Sequence, residues 1–396
     1  MKKLDHAKLL LVGITLFSMF FGAGNLIFPP YLGYLAGNKS IPAFIGFVIT
    51  AVVFPVLGVT AVAKTGGLDQ LCNKVHPGFA LLFSFAIYLF IGPMLAIPRT
   101  ASTSYEMFGF LTDRISAGSI FGMDVKFLIS IMYSLLFFIC AGIVAKRPEK
   151  LKDRLGKRLT PILIILILVL FIAGLAHGGS SVNEASAAYA ENAFGTGFIE
   201  GYNTMDTLAA MVFGIVIADN IRDLGVEDNT SIAKETIRGG VIAGIVLAAM
   251  YGMLTFLGMR SGDFISNAGN GTDILTALAG GFFGSFGSII LAAIYFIACF
   301  NVCVGLISSC SKFFAEKIHF LSFDAWRWIL TASSFGISIM GLNTILSISV
   351  PMLSMIYPVA MSVIILNLLP IKILEKPIVH KIVVVAALLY GIYTVL

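Results

Sequence analysis

Long apolar runs alternate with short polar stretches along the whole chain. A membrane-spanning helix needs about 20 apolar residues to cross a hydrocarbon core of roughly 30 Å, and eleven runs approach or exceed that length. They lie at 8–36, 41–63, 78–110, 125–145, 159–179, 200–219, 236–259, 284–314, 324–344, 346–370 and 380–396. The pattern predicts an all-α integral membrane protein with eleven helical segments.

The first run is interrupted in its middle. Gly22 and Gly24 flank an alanine, Asn25 follows at once, and Pro29 and Pro30 come one turn later. Glycine costs about 1 kcal/mol in a helix interior and proline about 3 kcal/mol. Broken backbone at membrane depth is tolerated where it faces protein or water, and in transporters it binds substrates and ions. We expect a broken helix with a binding site; a structural kink or a cleavable signal peptide are the alternatives.

The chain divides into two halves of similar length. The first five runs occupy 1–179 and the next five 200–371, and an odd number of spans gives the halves opposite orientations, as in an inverted repeat. Residues 372–396 would form an additional C-terminal helix. The sixth run is the counterpart of the first, and between Gly201 and Gly214 it also holds polar and small residues. We therefore expect the sixth helix to be discontinuous as well.

Composition and charge exclude a water-soluble protein. The chain has 58% hydrophobic and 12% charged residues and a mean hydropathy of +0.96, whereas soluble proteins have about 25% charged residues. If the N-terminus is cytoplasmic, 21 of the 26 lysines and arginines lie on the inner side, including a group at 146–158, as the positive-inside rule expects. The outer loop at 180–200 carries only acidic charges. The net charge of +5 thus requires no nucleic-acid partner, and the five unpaired cysteines suggest no disulfide framework.

Two charged residues lie inside apolar runs. A carboxylate at the centre of a spanning helix costs about 2.5–3.5 kcal/mol, so Asp206 is a functional candidate as a cation ligand, proton carrier or partner of a substrate ammonium. The alternative is an interfacial helix cap. Arg99 follows two prolines and lies two turns from Glu106, so the pair could gate the outer vestibule. Equally, Arg99 could extend to the outer interface.

The eighth run carries a group of short polar side chains, namely Asn301, Ser308, Ser309 and Ser311. Their hydroxyls could complete the oxygen shell of a small cation, or they could bond neighbouring backbone. The sequence contains no nucleophile–base constellation, transition-metal motif or phosphate-binding loop. It therefore gives no indication of an enzyme or of a cofactor.

Three motifs, in order along nearly the whole chain, resemble those of the bacterial branched-chain amino acid:cation symporters, the system II carriers. They are Phe21-Gly22-Ala23-Gly24-Asn25-Leu26-Ile27-Phe28-Pro29-Pro30, Ile91-Gly92-Pro93 with Ile97-Pro98-Arg99-Thr100-Ala101, and Thr204-Met205-Asp206-Thr207-Leu208-Ala209. This family belongs to the amino acid–polyamine–organocation superfamily. The resemblance implies a leucine-transporter-type 5+5 inverted repeat with discontinuous helices 1 and 6, in the bacterial cytoplasmic membrane.

The resemblance also implies site residues. Those for the substrate would be Gly22, Ala23, Gly24, Asn25, Phe213 and Gly214, to which its position adds Asp206. Phe213 and Gly214 resemble a Phe-Gly pair in the unwound sixth helix that closes over an aliphatic side chain. A sodium site would use the carbonyls of Ser18 and Phe21 with Asn25, Ser308 and Ser309.

Two departures from the family pattern bear on energetics and topology. The eighth run reads Gly305-Leu306-Ile307-Ser308 where the family usually has Gly-Leu-Thr-Ser, and the chain has eleven segments where twelve are usual. The missing threonine hydroxyl leaves both sodium and proton coupling open.

The sequence predicts a secondary transporter that imports leucine, isoleucine and valine with a monovalent cation, Na⁺ or H⁺, by alternating access in a lipid bilayer. A carrier of other small neutral amino acids and a sensor that binds without transport are the alternatives. The oligomeric state is not indicated.

Overall fold

The computed structural model describes residues 3–109, 119–120, 123–146, 159–177, 182–369, 371 and 376–395. Almost all of these residues are helical, and the strands β1 (Ser119–Ile120) and β2 (Met123–Asp124) form a short antiparallel pair. The helices are α1 His6–Phe20, α2 Ala23–Ala36, α3 Ser40–Val48, α4 Phe54–Thr65, α5 Leu68–Asn73, α6 Pro77–Leu89, α7 Ala96–Glu106, α8 Val125–Val144, α9 Thr160–His177, α10 Ala187–Glu200, α11 Asp206–Asp223, α12 Asn229–Met259, α13 Gly271–Phe283, α14 Ser285–Lys317, α15 Phe323–Ser338, α16 Leu342–Leu368 and α17 Pro377–Tyr393.

Irregular turns join several of these helices. A 3₁₀ turn at Gly37–Lys39 precedes α3, and a π-helical turn at Ile49–Val53 continues α3 into α4. A second π-helical turn, Phe90–Met94, joins α6 to α7, and inside it Gly92 has a non-helical φ of −82° and ψ of −120°. Pro93 follows, and proline removes a helical hydrogen bond. The distortion predicted in the third run is therefore present.

The predicted apolar runs coincide with the helices. By length and hydropathy, the described residues contain seven helical stretches able to cross a membrane, or eight when the bent pair at 187–223 counts as one. One of these, Ala23–Thr65, includes the second half of the first run and the whole of the second. Two shorter apolar helices, α1 and α17, complete the first run and form the eleventh. The ninth run is α15, which at 16 residues is shorter than a full span.

Two helices lie in intervals where the apolar pattern of the sequence predicted loops. The interval 180–200, predicted to be an outer loop, contains the 14-residue helix α10, and α13 lies between the seventh and eighth runs. Both sequences are rich in alanine, glycine and polar residues, so their apolar faces are too weak to stand out. The basic group at 146–158 lies almost entirely outside the described residues.

The broken first helix lies at the centre of the fold, packed against α11, α12 and α14. Its second half, α2, meets α12 backbone to backbone. A Cβ atom on Gly33 would collide with the Thr255 carbonyl, and one on Gly258 with the Pro30 carbonyl. Close glycine-mediated contact is how helices associate in a membrane, where lipid provides no hydrophobic drive.

Two contacts join regions that are distant in the sequence. Lys317 forms an ion pair with Asp69, and both residues lie in loops predicted to be on the inner side. The Tyr34 hydroxyl donates to the Ser266 carbonyl at 2.9 Å, and both residues lie in regions predicted to be outer. Each contact joins regions with the same predicted side, and the side on which the N-terminus lies stays a prediction.

Candidate functional site

The first helix is interrupted at Phe21 and Gly22, between α1 and α2. The Gly22 N–H donates to Asn25 Oδ1 at 2.8 Å. In an unbroken helix this N–H would bond the carbonyl of Ser18, four residues earlier. The Asn25 side chain therefore accepts the hydrogen bond that the Ser18 carbonyl would accept in an unbroken helix. This leaves the Ser18 carbonyl, near the end of α1, available to another ligand.

The sixth helix is interrupted at Gly201–Met205. A 3₁₀ turn, Gly201–Thr204, ends in Met205 with φ 67° and ψ 9°, and α11 then begins at Asp206 with a bend of 44°. Met205 is the one non-glycine residue with positive φ in the part of the chain that the structure describes. Such backbone costs about 1–3 kcal/mol and concentrates at functional sites. The predicted discontinuity of helix 6 is present.

Asn25, Asp206 and Tyr251 connect the two breaks. The Asn25 amide donates to Asp206 Oδ2 at 2.6 Å and also contacts the Tyr251 hydroxyl. The Tyr251 hydroxyl donates to the same Oδ2 atom at 2.7 Å. All three side chains are at most 1% exposed. A buried carboxylate is therefore held between the first, sixth and seventh spans by two neutral donors.

Arg99 reaches into the break of the sixth helix. Its Nη1 donates to the Asn203 carbonyl at 2.8 Å, and Nη2 lies 3.4 Å from the Thr204 carbonyl. The side chain is 3% exposed, and its guanidinium carbon lies 5.7 Å from the centre of the Phe28 ring. A Cβ atom on Gly24 would be 2.7 Å from Nη2, so the approach depends on a glycine there.

The structure does not pair Arg99 with Glu106, and a gating role for these two residues stays a prediction. Glu106 accepts a hydrogen bond from the Thr272 hydroxyl at 3.0 Å, at the start of α13. Seven residues span about two turns, or roughly 10 Å along α7, so the two groups reach different elements: Arg99 reaches the break of the sixth helix and Glu106 the start of α13. Arg99 does not extend to the interface either, since it is buried. Glu106 lines an outer cavity of about 650 Å³ together with Asp273.

The structure brings α1 and α14 together, as the predicted cation site requires. The Asn301 amide donates to the Ser18 hydroxyl at 3.3 Å, while Asn301 Oδ1 is buried and has no partner among the described residues. Ser308 and Ser309 are 4% and 8% exposed, and Ser309 lines a cavity of about 300 Å³ at the inner end. Ile307, in place of the usual threonine, is buried.

The sixth helix is not unwound at Phe213 and Gly214, which was the expectation from the resemblance. Both lie within the continuous helix α11, and a Cβ atom on Gly214 would be 2.6 Å from Val62 Cβ, so this glycine allows α11 to pack on α4. Phe213 is fully buried, with its ring 6.3 Å from that of Phe20. Phe213 therefore borders the break of the first helix from a regular helix.

Tyr251 was missed by sequence reasoning. It lies in the middle of the apolar seventh run, and a tyrosine there gives no signal that separates a hydrogen-bonded site residue from a core aromatic residue. The hydrogen-bond partners of Arg99 were also not predicted, because sequence spacing reports neighbours on one helix and not the element opposite.

Comparisons with known proteins agree with this architecture. The family model described as "Branched-chain amino acid transport protein" matches residues 5–396. The permease BraB of Bacillus subtilis (strain 168) is 38% identical over 361 residues, which is 90% of this chain and 79% of that protein. The permease BrnQ of the same organism is 36% identical over 370 residues, covering 93% and 82%. A putative branched-chain amino acid carrier protein of Staphylococcus aureus (strain MRSA252) is 38% identical over 399 residues, covering 97% and 87%.

Among solved structures, the chain is similar to MhsT, crystallised in complex with L-phenylalanine, with a TM-score of 0.64, 16% identity and coverage of 98% of this chain and 99% of MhsT. This shows the fold, which is the leucine-transporter type predicted from the sequence. The relatives are permeases and carriers, so the protein is a transporter and not an enzyme. The chain belongs to the branched-chain amino acid transport protein family, as a multi-pass membrane protein of amino acid transport.

Proposed function

We propose that the protein is a secondary active transporter that imports leucine, isoleucine and valine together with a monovalent cation. The observation that carries the proposal is the link between Asn25 and Asp206, which joins the two helix breaks through a 2.6 Å hydrogen bond. A zwitterionic amino acid requires a carboxylate site and an ammonium site close together. Half-helix ends beside a buried carboxylate offer both.

The α-carboxylate would bind at the start of α2. The first N–H groups of a helix have no intrahelical acceptor, and the helix dipole favours an anion there. Ala23 and Gly24 provide such groups. Gly22 has no side chain, and this allows Val302 of α14 to pack closely against the break. The α-ammonium would then face Asp206, whose carboxylate accepts a hydrogen bond from Asn25.

The aliphatic side chain would occupy the apolar surface next to the break. Phe20 and Phe213 form one wall, 6.3 Å apart between ring centres. A Cβ atom on Gly305 would meet only Phe213, at 3.8 Å, so this position leaves room on the α14 side. One methylene in an apolar pocket is worth about 1–3 kcal/mol, so discrimination among the three substrates would be weak.

The coupling cation would bind between α1 and α14. The freed carbonyl of Ser18 is a suitable ligand for Na⁺, and Phe21, Asn25, Ser308 and Ser309 complete the proposed set. Asp206 is the corresponding candidate if the coupling ion is a proton. Binding of cation and substrate would drive rocking of the first and sixth helices between outward-open and inward-open states.

The proposed location is the bacterial cytoplasmic membrane with the N-terminus in the cytoplasm, supported by the distribution of lysine and arginine. We assign residues 1–179 to the first repeat, 200–371 to the second, and 372–396 to an additional C-terminal helix. The sixth helical pair begins earlier than this boundary, at Ala187.

The test is uptake of radiolabelled leucine into proteoliposomes under an inward sodium gradient, an inward proton gradient, or neither. Accumulation above equilibrium under one gradient supports the proposal and identifies the ion. Accumulation of alanine or serine in preference to leucine would show that the substrates are other small neutral amino acids. Leucine binding without accumulation under either gradient would indicate a sensor.

A further inference from the structure

Arg99 is a buried cation fixed at a helix break. The α10 segment and its 3₁₀ turn end at Thr204, so the carbonyls of Asn203 and Thr204 are at a helix C-terminal end. Carbonyls at such ends lack intrahelical donors, and the dipole places partial negative charge there. In transporters with broken helices, groups of this kind bind the coupling cation. Here the guanidinium of Arg99 bonds both carbonyls, at 2.8 and 3.4 Å.

Two neighbouring groups favour a charged guanidinium at this point. Phe28 offers a ring face at 5.7 Å, and Asp206 is close enough to interact electrostatically with Arg99. Arginine stays protonated and spreads its charge over a planar group with several donors, so one side chain can serve two carbonyls. The Nε atom is buried without a partner among the described residues, so the guanidinium is held through its outer nitrogens alone.

No free space separates Arg99 from the first helix. A Cβ atom on Gly24 would lie 2.7 Å from Nη2, 3.1 Å from Thr204 Cα and 3.2 Å from the Asn203 carbonyl oxygen. A hydrated ion could not enter between these groups while the guanidinium is in place.

We infer that Arg99 is a tethered cation, which holds at the sixth-helix break the position that a dissolved monovalent ion would otherwise take. One consequence of the inference rests on the proposed transport function. The coupling ion must bind elsewhere, either as Na⁺ between α1 and α14 or as a proton on Asp206. The carbonyls of Asn203 and Thr204 stay bonded to this fixed charge and take up no dissolved metal cation during the cycle.

The first test needs no transport. The purified wild-type protein and Arg99→Ala are unfolded thermally in mild detergent with rising millimolar guanidinium chloride, sodium chloride or urea. A ligand that binds only the folded state raises the unfolding temperature. We expect guanidinium to stabilise Arg99→Ala relative to urea and to leave the wild type unchanged. The matched control is Arg260→Ala, whose arginine stacks on Phe256 at the outer end and should show no such response.

The second test is leucine uptake in proteoliposomes. The loss of two hydrogen bonds from a charged donor should reduce the rate of leucine uptake by Arg99→Ala at least roughly tenfold. We expect guanidinium to restore part of this uptake, and urea to restore none. Arg99→Lys keeps the charge and should retain much more uptake than alanine.

Either test can overturn the inference. An Arg99→Ala protein that folds but is neither stabilised nor rescued by guanidinium contradicts it, and so does an Arg99→Lys protein as inactive as the alanine variant. If Arg99→Ala does not fold, Arg99→Lys decides the question alone. Failure of wild-type leucine uptake would instead reject the proposed function, while the unfolding measurement would still decide the role of Arg99.

Discussion

Asn25 and Asp206 lie 181 positions apart in the chain and share a 2.6 Å hydrogen bond at the point where two membrane helices are broken. The same Asn25 side chain accepts from the Gly22 N–H and so helps to end the helical ladder of α1. One amide therefore both shapes the break in the first helix and fastens it to the sixth. A movement of one helix relative to the other would have to stretch or break this contact.

Asn25→Ala should abolish substrate accumulation. The variant loses the cap on Gly22 and leaves Asp206 with only the Tyr251 donor, and hydrogen bonds to charged groups are worth about 1.5–3 kcal/mol. We expect leucine affinity to fall by roughly ten- to hundredfold, measured by equilibrium binding and by uptake. Asn220→Ala, on the inner half of α11, is the control and should behave as wild type. Wild-type affinity in Asn25→Ala would show that the link is only structural.

Asp206→Asn should weaken recognition of the substrate amine. The change keeps the size of the side chain and an acceptor oxygen but removes the charge that a buried ammonium needs. We expect leucine affinity to fall at least roughly tenfold, while inhibition by 4-methylpentanoate, which is leucine without its amine, changes little. Glu227→Gln, at an exposed position, controls for loss of one acidic charge. Equal losses for both ligands would indicate that Asp206 does not face the amine.

Gly24→Ala should disable the site without unfolding the protein. The new methyl group would lie 2.7 Å from Arg99 Nη2 and 3.1 Å from Thr204 Cα, so the guanidinium and the break of helix 6 must move. We expect leucine uptake to be lost while the protein remains monodisperse in size-exclusion chromatography. Gly336→Ala in α15 has open space around it and should leave uptake unchanged. Full uptake by Gly24→Ala would mean that the contact with Arg99 is dispensable.

Gly305→Ala should alter size selectivity. The added methyl group would make an ordinary 3.8 Å contact with Phe213, so the helix is not strained, but the space proposed for the aliphatic side chain shrinks. One methylene in an apolar pocket is worth about 1–3 kcal/mol, so we expect leucine and isoleucine to lose several-fold more affinity than valine. Competition against radiolabelled valine measures the ratio. Parallel losses for all three substrates would place the pocket elsewhere.

The inner end of the bundle should open more easily when Asp69 is neutralised. Its ion pair with Lys317, partly shielded at 25% and 34% side-chain exposure, borders the inner cavity, and Ser84 donates to the same carboxylate at 2.6 Å. Partly exposed pairs contribute about 0.2–1 kcal/mol, which a double-mutant cycle on thermal stability would measure. We expect Asp69→Asn to speed leucine exchange across the membrane.

A second ion pair is the matched control. Glu235 and Arg238 form an ion pair at 2.9 Å within α12, with side chains 4% and 40% exposed, and neither residue lines the inner cavity. We expect no change in exchange for Glu235→Gln. Equal effects in the two pairs would assign them to the loss of an ion pair in general and not to closure of the inner end.

The sequence alone determined the membrane class, the positions of the spans and the two broken helices, because these depend on local properties. Each of these features can be read from a short stretch of the chain. They are the length of an apolar run, the glycines and prolines within it, and the lysines and arginines that flank it. The break near Gly22 and the interruption after Gly201 were therefore predictable. Asp206 could be selected as a candidate for the same reason, since a charge in an apolar run is costly wherever the run packs; its functional role stays a prediction.

Only the tertiary structure decided which polar groups meet. Arg99 shares a helix with Glu106 but bonds the carbonyls of Asn203 and Thr204, which are more than a hundred positions away. Tyr251 joins Asp206 although nothing in its own segment distinguishes it. Periodicity reports which residues share a face of one helix, while the partner of a buried charge depends on how that face packs against other helices. That packing is set by contacts summed over the whole bundle.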